Sequence, residues 1–222
     1  MSLPVGSAVP GWEPPPPLGP PVLAGRYVTV SPLTERAIPS LWESLVDADA
    51  DLWTYMSYGP FLDRADMEQT VAAWVGSADP RFVTFDIRGA ARGWGAYLRI
   101  EPAHGVAEVG HLVFSPSLQR TPAATEAMYL MMRHVFDLGY RRYEWKCDAL
   151  NAASRRAAER LGFTYEGTFR QHMVYKGRNR DTAWYSVIDS EWPRLRAAFE
   201  AWLDPSNFDR QGRQLRRLAE LR

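Results

Sequence analysis

One cysteine among 222 residues excludes a disulfide within the chain, and so spare a use of thiols fits a reducing cytoplasm. Cys147 sits in Tyr143-Glu144-Trp145-Lys146-Cys147, a segment with strand character, and reads as a packed structural thiol rather than a nucleophile. A dominant charge is also lacking. Lys plus Arg and Asp plus Glu stand at 26 each, so neither nucleic acid nor an anionic membrane is expected as a partner through long-range attraction. Any anion site must be local. No apolar run approaches the roughly 20 residues of a membrane span. The first residues show no basic start leading into an apolar stretch, so they do not read as a signal peptide. No metal is expected.

What is present is an ordinary globular composition, 46% apolar and 23% charged, on a chain long enough to bury a core. Residues 1–24 stand apart: Pro14 to Pro17 and Pro20-Pro21 forbid helix and predict an extended arm. That arm is either a proline-rich ligand for a partner or a packed strap anchored by Trp12; the second is preferred. Residues 25–190 carry regular patterning. Strands are expected at Tyr27–Val30, Phe82–Ile87, Trp94–Ile100, Val106–Phe114, Arg142–Asp148, Thr168–Tyr175 and Trp184–Ile188. Helices are expected at Thr34–Asp47, at Asp63 to about Ser77, at Pro122–Leu138 and at Ala152–Leu161, the last stopped by Gly162. Residues 191–222 are expected as a helical extension, Trp192–Leu203 and Arg210–Leu221. The order predicts an α+β (mixed α/β) domain with helices on both faces of one sheet.

Two helix starts carry chemistry. In Gln119-Arg120-Thr121-Pro122-Ala123-Ala124-Thr125, Thr121 is a natural N-cap and Pro122 suits the first helical position. The amides of Ala123, Ala124 and Thr125 then face outward and, with the helix dipole, attract an anion. Arg120 adds a positive charge, and the small alanines admit a ligand close to the backbone. On spacing alone a capped helix without a ligand is the plainer reading. At the second start Asn151 is the cap, Ala153, Ala157 and Leu161 form the apolar stripe, and Arg155, Arg156 and Arg160 read as a solvated face.

The set Asn151-x-x-Ser154, Arg160-Leu161-Gly162-Phe163 and Glu166-Gly167 resembles the GNAT superfamily of acyl-CoA N-acyltransferases. Its branch of ribosomal-protein N-terminal acetyltransferases of the RimJ/RimL type is the nearest, through Ala107-Glu108-Val109-Gly110-His111 and Thr125-Glu126-Ala127. The resemblance covers roughly Gly25–Asp189. It implies a GNAT fold: a mostly antiparallel sheet of about seven strands, splayed at the cofactor site. It implies acetyl-CoA as co-substrate, with Gln119, Arg120, Thr121, Ala123, Ala124 and Thr125 at the pyrophosphate and Asn151 and Ser154 at the pantetheine arm. It implies that the arm pairs with the bulged strand at Leu112, Val113 and Phe114, where a backbone N–H of Leu112 or Val113 would hold the oxyanion. Two departures stand out. Pro122 replaces a glycine and removes a donor; Ala158 occupies the place where many relatives carry a tyrosine acid.

The implied reaction is direct attack of an amine on the thioester in a ternary complex. Glu108 is the first candidate for the base. Ser154 and Tyr185 are candidates for the acid, although Tyr185 reads as core. His111, three residues along a regular strand, would face away from Glu108. The acceptor, a protein N-terminus or a small-molecule amine, would be walled by Trp53, Tyr55, Tyr58, Phe61 and Trp145, with Asp51, Asp148 or Asp181 binding the ammonium. A homodimer is left open. The alternative functions are a non-catalytic acyl-CoA-binding or regulatory module of the same fold, and a scaffold working through the proline-rich start and the charged C-terminus.

Overall fold

Strands β1 (Leu23–Ala24), β2 (Thr29–Pro32), β3 (Arg81–Ile87), β4 (Ala90–Glu101), β5 (Val106–Phe114), β6 (Arg142–Asp148), β7 (Thr164–Tyr175) and β8 (Arg178–Ile188) form one sheet. They lie in the order β1-β2-β3-β4-β5-β6-β8-β7. A computed structural model describes residues 3–19 and 22–222, so Pro20 and Pro21 of the proline-rich arm lie outside it. Among the described residues only β5 and β6 pair in parallel; the mostly antiparallel sheet that the resemblance implies is borne out. It has eight strands, not seven. The extra one, β1, is two residues long, too short for period-2 alternation to reveal.

Two cores lie on opposite faces of this sheet. On one face α1 (Ile38–Leu45) and α2 (Arg64–Ala72) cover Phe82, Trp94, Ala96 and Val113. On the other, α3 (Pro122–Asp137), α4 (Ala152–Leu161) and α5 (Trp192–Leu203) cover Val83, Phe85, Ala107, Val109, Tyr143 and Tyr185. Neighbouring residues of one strand thus enter different cores, as the pleat requires. Asp63 caps α2 as expected, accepting from the Asp66 N–H at 2.9 Å. Met67 and Val71 on its apolar stripe are fully buried.

Glu126 on α3 fixes the entry of the chain. Its carboxylate accepts from the N–H groups of Arg26, Tyr27 and Val28 at 2.8, 2.6 and 3.0 Å, which satisfies backbone donors that β1 and β2 leave open. The arm before it packs down. Leu18 is fully buried, worth about 2 kcal/mol, and its N–H donates to the Tyr140 hydroxyl. Trp12 lies under the Arg141 guanidinium, 5.6 Å from the ring centroid.

The C-terminal segment departs from expectation. There is no helix at 210–221: a bridge pairs Phe208 with Gln214 and a short 3-10 turn spans Leu218–Glu220. Asp209 accepts from the N–H groups of Gln211 and Arg213, and Gly212 adopts φ 75°. These local bonds and a left-handed residue reverse the chain where a helix over Arg210–Leu221 was expected.

Candidate active site

β5 and β6 pair only from Val106 opposite Arg142 to Val109 opposite Trp145; beyond that they part. The cause is a bulge. Trp94 faces Val113 and Ala96 faces Gly110, so His111 and Leu112 together oppose Gly95, and His111 takes φ 52°. The extra residue bends β5 and leaves its far half without a partner on the β6 side. At Gly95 a Cβ would meet Leu112 Cδ2 and Phe85 Cζ, each at 2.9 Å, so a side chain there would force both to shift. The bulge also breaks the alternation. His111 packs on Tyr58 and Phe82, with ring centroids 5.8 and 5.1 Å away. It therefore shares the face of Glu108 instead of opposing it.

On the face of α3 and α4, Thr121 caps α3. Its hydroxyl accepts from the Ala124 N–H at 3.2 Å and donates to Leu118 O at 2.7 Å. Gln119 steadies the preceding loop by donating to Phe114 O, and Arg120 is held at φ 60°. Of the three amides expected to face outward, that of Ala124 is already bonded. Thr125 contributes its hydroxyl instead, which accepts from Arg160 Nη2 at 2.8 Å. Pro122 occupies the first helical position and leaves α3 intact. Asn151 caps α4 by accepting from the Ser154 N–H at 2.9 Å, and the Ser154 hydroxyl accepts from Trp145 Nε1 at 3.0 Å. Between the two helices runs a groove of about 640 Å³, lined by Phe114, Arg120, Thr121, Ala124, Trp145 and Arg160. Its outer wall is the C-terminal turn Gly212–Gln214 with Phe208 and Trp202. Trp145 is thus on the face of α3 and α4, apart from Trp53, Tyr58 and Phe61. Arg160 stays exposed, as expected, with its guanidinium over the Trp202 ring at 5.3 Å. Cys147 is buried, and burial pushes its thiol up. Tyr185 is fully buried, as its core reading expects.

The opposite face holds charge. Lys146 Nζ donates to Glu108 and Glu144, each at 2.7 Å, and lies 3.8 Å from the Trp184 ring centroid. Arg99 approaches Glu108 at 3.4 Å, and Arg142 bonds Glu144. Burial raises the Glu108 carboxyl above its ordinary value, with Lys146 the main opposing influence. Burial also raises Glu144, but hydrogen bonds from Lys146 and Arg142 outweigh it and hold that group low. Across the cleft, Trp53, Tyr58 and Phe61 join Trp74 and Trp94 in one aromatic cluster. Tyr55 donates to Leu150 O at 3.1 Å. Lys176, at the tip of the β7–β8 hairpin, donates to Trp53 O and Gly59 O, each at 2.9 Å, and so straps the two walls together. Among the acidic candidates only Asp148 is buried; it accepts from Tyr175 Oη and the Leu150 N–H. Burial and that carboxylate push the Tyr175 phenol up to about 12. Asp181 ties down Gln171 and Asn179, and Asp51 is exposed.

The model of the acetyltransferase (GNAT) domain matches residues 28–164, well over half of the chain. This chain belongs to the GNAT acetyltransferase family. Among solved structures, a GCN5-related N-acetyltransferase from Brucella melitensis is 46% identical, with 96% of this chain and 99% of that one covered at a TM-score of 0.93. A GNAT-family protein from Chromobacterium violaceum is 38% identical over 87% of this chain and 98% of its own, at 0.80. The acetyltransferase of Salmonella typhimurium that modifies the N-terminal serine of ribosomal protein L7/L12 shares the fold at 21% identity, over 75% of this chain and 98% of its own, TM-score 0.65. No curated protein matches the sequence.

Members of the GNAT family use acetyl-CoA in general, and this GNAT chain has features suited to it. The capped start of α3 places Arg120, Thr121 and Ala124 on the groove, where a helix N-terminus favours an anion. Arg160 and Arg213 also line the groove. Among the described residues no group of three His, Cys, Asp or Glu could hold a metal ion, and no helix is long and apolar enough to cross a membrane. Sequence reasoning missed two parts of this GNAT site. Lys146, between Glu108 and Glu144 on the face opposite the groove, carries no motif. The turn Gly212–Gln214 reaches the groove only through the chain reversal at Asp209.

Proposed function

We propose that this enzyme moves the acetyl group of acetyl-CoA onto a primary amine by direct attack in a ternary complex. One observation carries the reading: the gap between β5 and β6 opens on one side to the groove of α3 and α4 and on the other to buried Glu108. A cofactor thioester and an amine could meet there from opposite faces. Gln119, Arg120, Thr121, Ala123, Ala124 and Thr125 would hold the pyrophosphate. Asn151, Ser154, Leu112, Val113 and Phe114 would flank the pantetheine arm.

In the step itself the amine nitrogen bonds the acyl carbon and the carbon–sulfur bond breaks. The ammonium gives one proton to Glu108, directly or through water, before attack; the second, shed by nitrogen as the amide forms, goes to the departing thiolate directly or through water, and coenzyme A leaves as the thiol. An N-terminal amine, with a pKa near 8, gives up its proton more readily than a lysine-like amine near 10. A carboxyl raised by burial is better matched to either. Ser154 is the remaining candidate to protonate the thiolate; a thiol pKa near 8.5 makes that help dispensable. The acceptor is a protein N-terminus or a small-molecule amine.

Ala158, buried where many relatives have a tyrosine, and the ion pairing of Glu108 favour a second reading, an acyl-CoA-binding module without turnover. Thermal shift with acetyl-CoA and thiol release over an amine panel separate the two. Stabilisation together with coenzyme A release is expected. Stabilisation without release from any amine selects the binding module. No shift with any acyl-CoA at millimolar concentration sinks both.

A further inference from the structure

The acceptor face contains a cation with no counter-charge. On β6 and β8 the register pairs Lys146 with Trp184 and Asp148 with Thr182, so Lys146, Asp148, Arg180, Thr182 and Trp184 share one face of the sheet. Lys146 is committed to two carboxylates, Arg142 to Glu144 and Glu166, and Arg99 to Glu108. Arg180 differs. Among the described residues no carboxylate lies within ion-pair reach of it, and its Nε is shut from water with no hydrogen-bond partner. Its guanidinium lies 5.9 Å from the Tyr175 ring centroid. Trp184 Nε1 is a second buried donor without a partner on the same face.

The neighbouring carboxylates are already engaged. Asp148 accepts from Tyr175 and Leu150, and Asp181 from Asn179 and Gln171. Between them stands His172, bonded to Thr182 at 2.9 Å. Burial first, then Arg99, Arg180 and Lys146, hold its imidazole below the ordinary value, which shows how closely these cations crowd. A buried donor left unpaired costs free energy, and a charged one costs more. The planar fork of an arginine fits the two oxygens of a carboxylate or phosphate.

We infer that Arg180 binds an anionic group of the acceptor, so that the substrate is an amine that also carries a carboxylate or phosphate. This rests on the acetyl-transfer reading, with the amine at Glu108 and the anion at Arg180. Arg180 lies four residue steps along β8 from Trp184, beside Lys146, roughly 13 Å of strand. With the reach of the arginine subtracted, several bonds separate amine from anion.

The test uses matched probes on the full chain. One arm takes ω-amino acids of increasing length with their primary amides, and the other takes aminoalkyl phosphates with the corresponding amino alcohols. Thiol release gives kcat/KM, and tryptophan fluorescence gives binding without turnover. The anionic member of at least one pair is expected to win by tenfold or more in kcat/KM. Arg180→Gln is expected to abolish that preference through KM, and Arg180→Lys, which keeps the charge and the fold, to restore part of it. The arm with the larger preference names the anion. Turnover with equal kcat/KM across every pair overturns the subsite and spares the transferase, as does a preference that survives Arg180→Gln. Anion binding that Arg180→Gln removes, with no thiol release, upholds the subsite and sinks acetyl transfer. Neither binding nor release overturns both.

Discussion

The face proposed for the cofactor is built from local pieces and the face proposed for the acceptor from distant ones. Thr121 caps the helix that begins one residue later, and Asn151 does the same for α4; both sites form within a single turn of chain. Glu108, Glu144, Lys146, Trp184 and Arg99 come from four strands and meet only when β4, β5, β6 and β8 lie side by side. A local site survives sequence drift elsewhere because its geometry is set by caps and small residues. An assembled site depends on register, and a one-residue bulge such as that at His111 changes which side chains face each other. The predictions below press on that contrast.

The largest effect should come from Lys146→Met. It leaves Glu108 and Glu144 buried without their shared cation, which costs about 3–5 kcal/mol, read by urea denaturation. The sign with pH follows from Glu108. Its folded pKa lies above the ordinary value, and the variant removes the influence that opposes the rise. The folded state then favours the protonated acid, so the stability deficit grows as pH rises and narrows as pH falls. The acid limb of kcat/KM, which needs the carboxylate ionised, should move to higher pH. An unmoved limb would detach Glu108 from the titration.

Glu108→Gln should lower kcat/KM for amine acetylation by about 100-fold and leave the acetyl-CoA thermal shift in place. Loss confined to the acceptor side would sharpen the contrast between the faces. Equal loss of acetyl-CoA binding would break it, because the carboxylate would then serve the cofactor face as well.

Ser154 lies where the two regions adjoin. Ser154→Ala orphans Trp145 Nε1 inside the core and should cost about 1–2 kcal/mol. A kcat within threefold of the parent means the hydroxyl serves Trp145 alone; a tenfold or greater fall in kcat, with KM unchanged, identifies it as the acid for the departing thiolate.

These differences also explain what could be read in the chain before its fold was known. Helix ends were legible wherever a cap or a glycine marks them: Asn151 and Gly162 bound α4 at Ala152–Leu161. The motif order from Glu108 to Gly167 was enough to place the family. Lys146 was invisible because lysine in a strand normally means a solvated position, and only the neighbouring strands reveal two carboxylates around it. His111 was misplaced because alternation was extended through a bulge that no residue type announces. Trp145 packs in a different core from Trp53, because residue type alone carries no sign of which core receives an aromatic side chain. The C-terminal helix failed because Asp209 and Gly212 turn the chain back before its leucines can line up.

The smallest effects concern the start of α3. Thr121→Ala removes the cap and should cost about 1 kcal/mol of stability, with a matching loss of several-fold in coenzyme A affinity by calorimetry, since the loop that presents Arg120 relaxes with it. Pro122→Ala should change that affinity by less than about threefold, because the N–H at the first helical position lacks an intrahelical acceptor and φ there is already helical. A large gain in affinity for Pro122→Ala would mean that the missing donor matters and that proline weakens the cradle. A negligible change, beside a clear loss for Thr121→Ala, would show that the cap, and not the replaced glycine, fixes the anion site, and that the cofactor face is as locally determined as its hydrogen bonds imply.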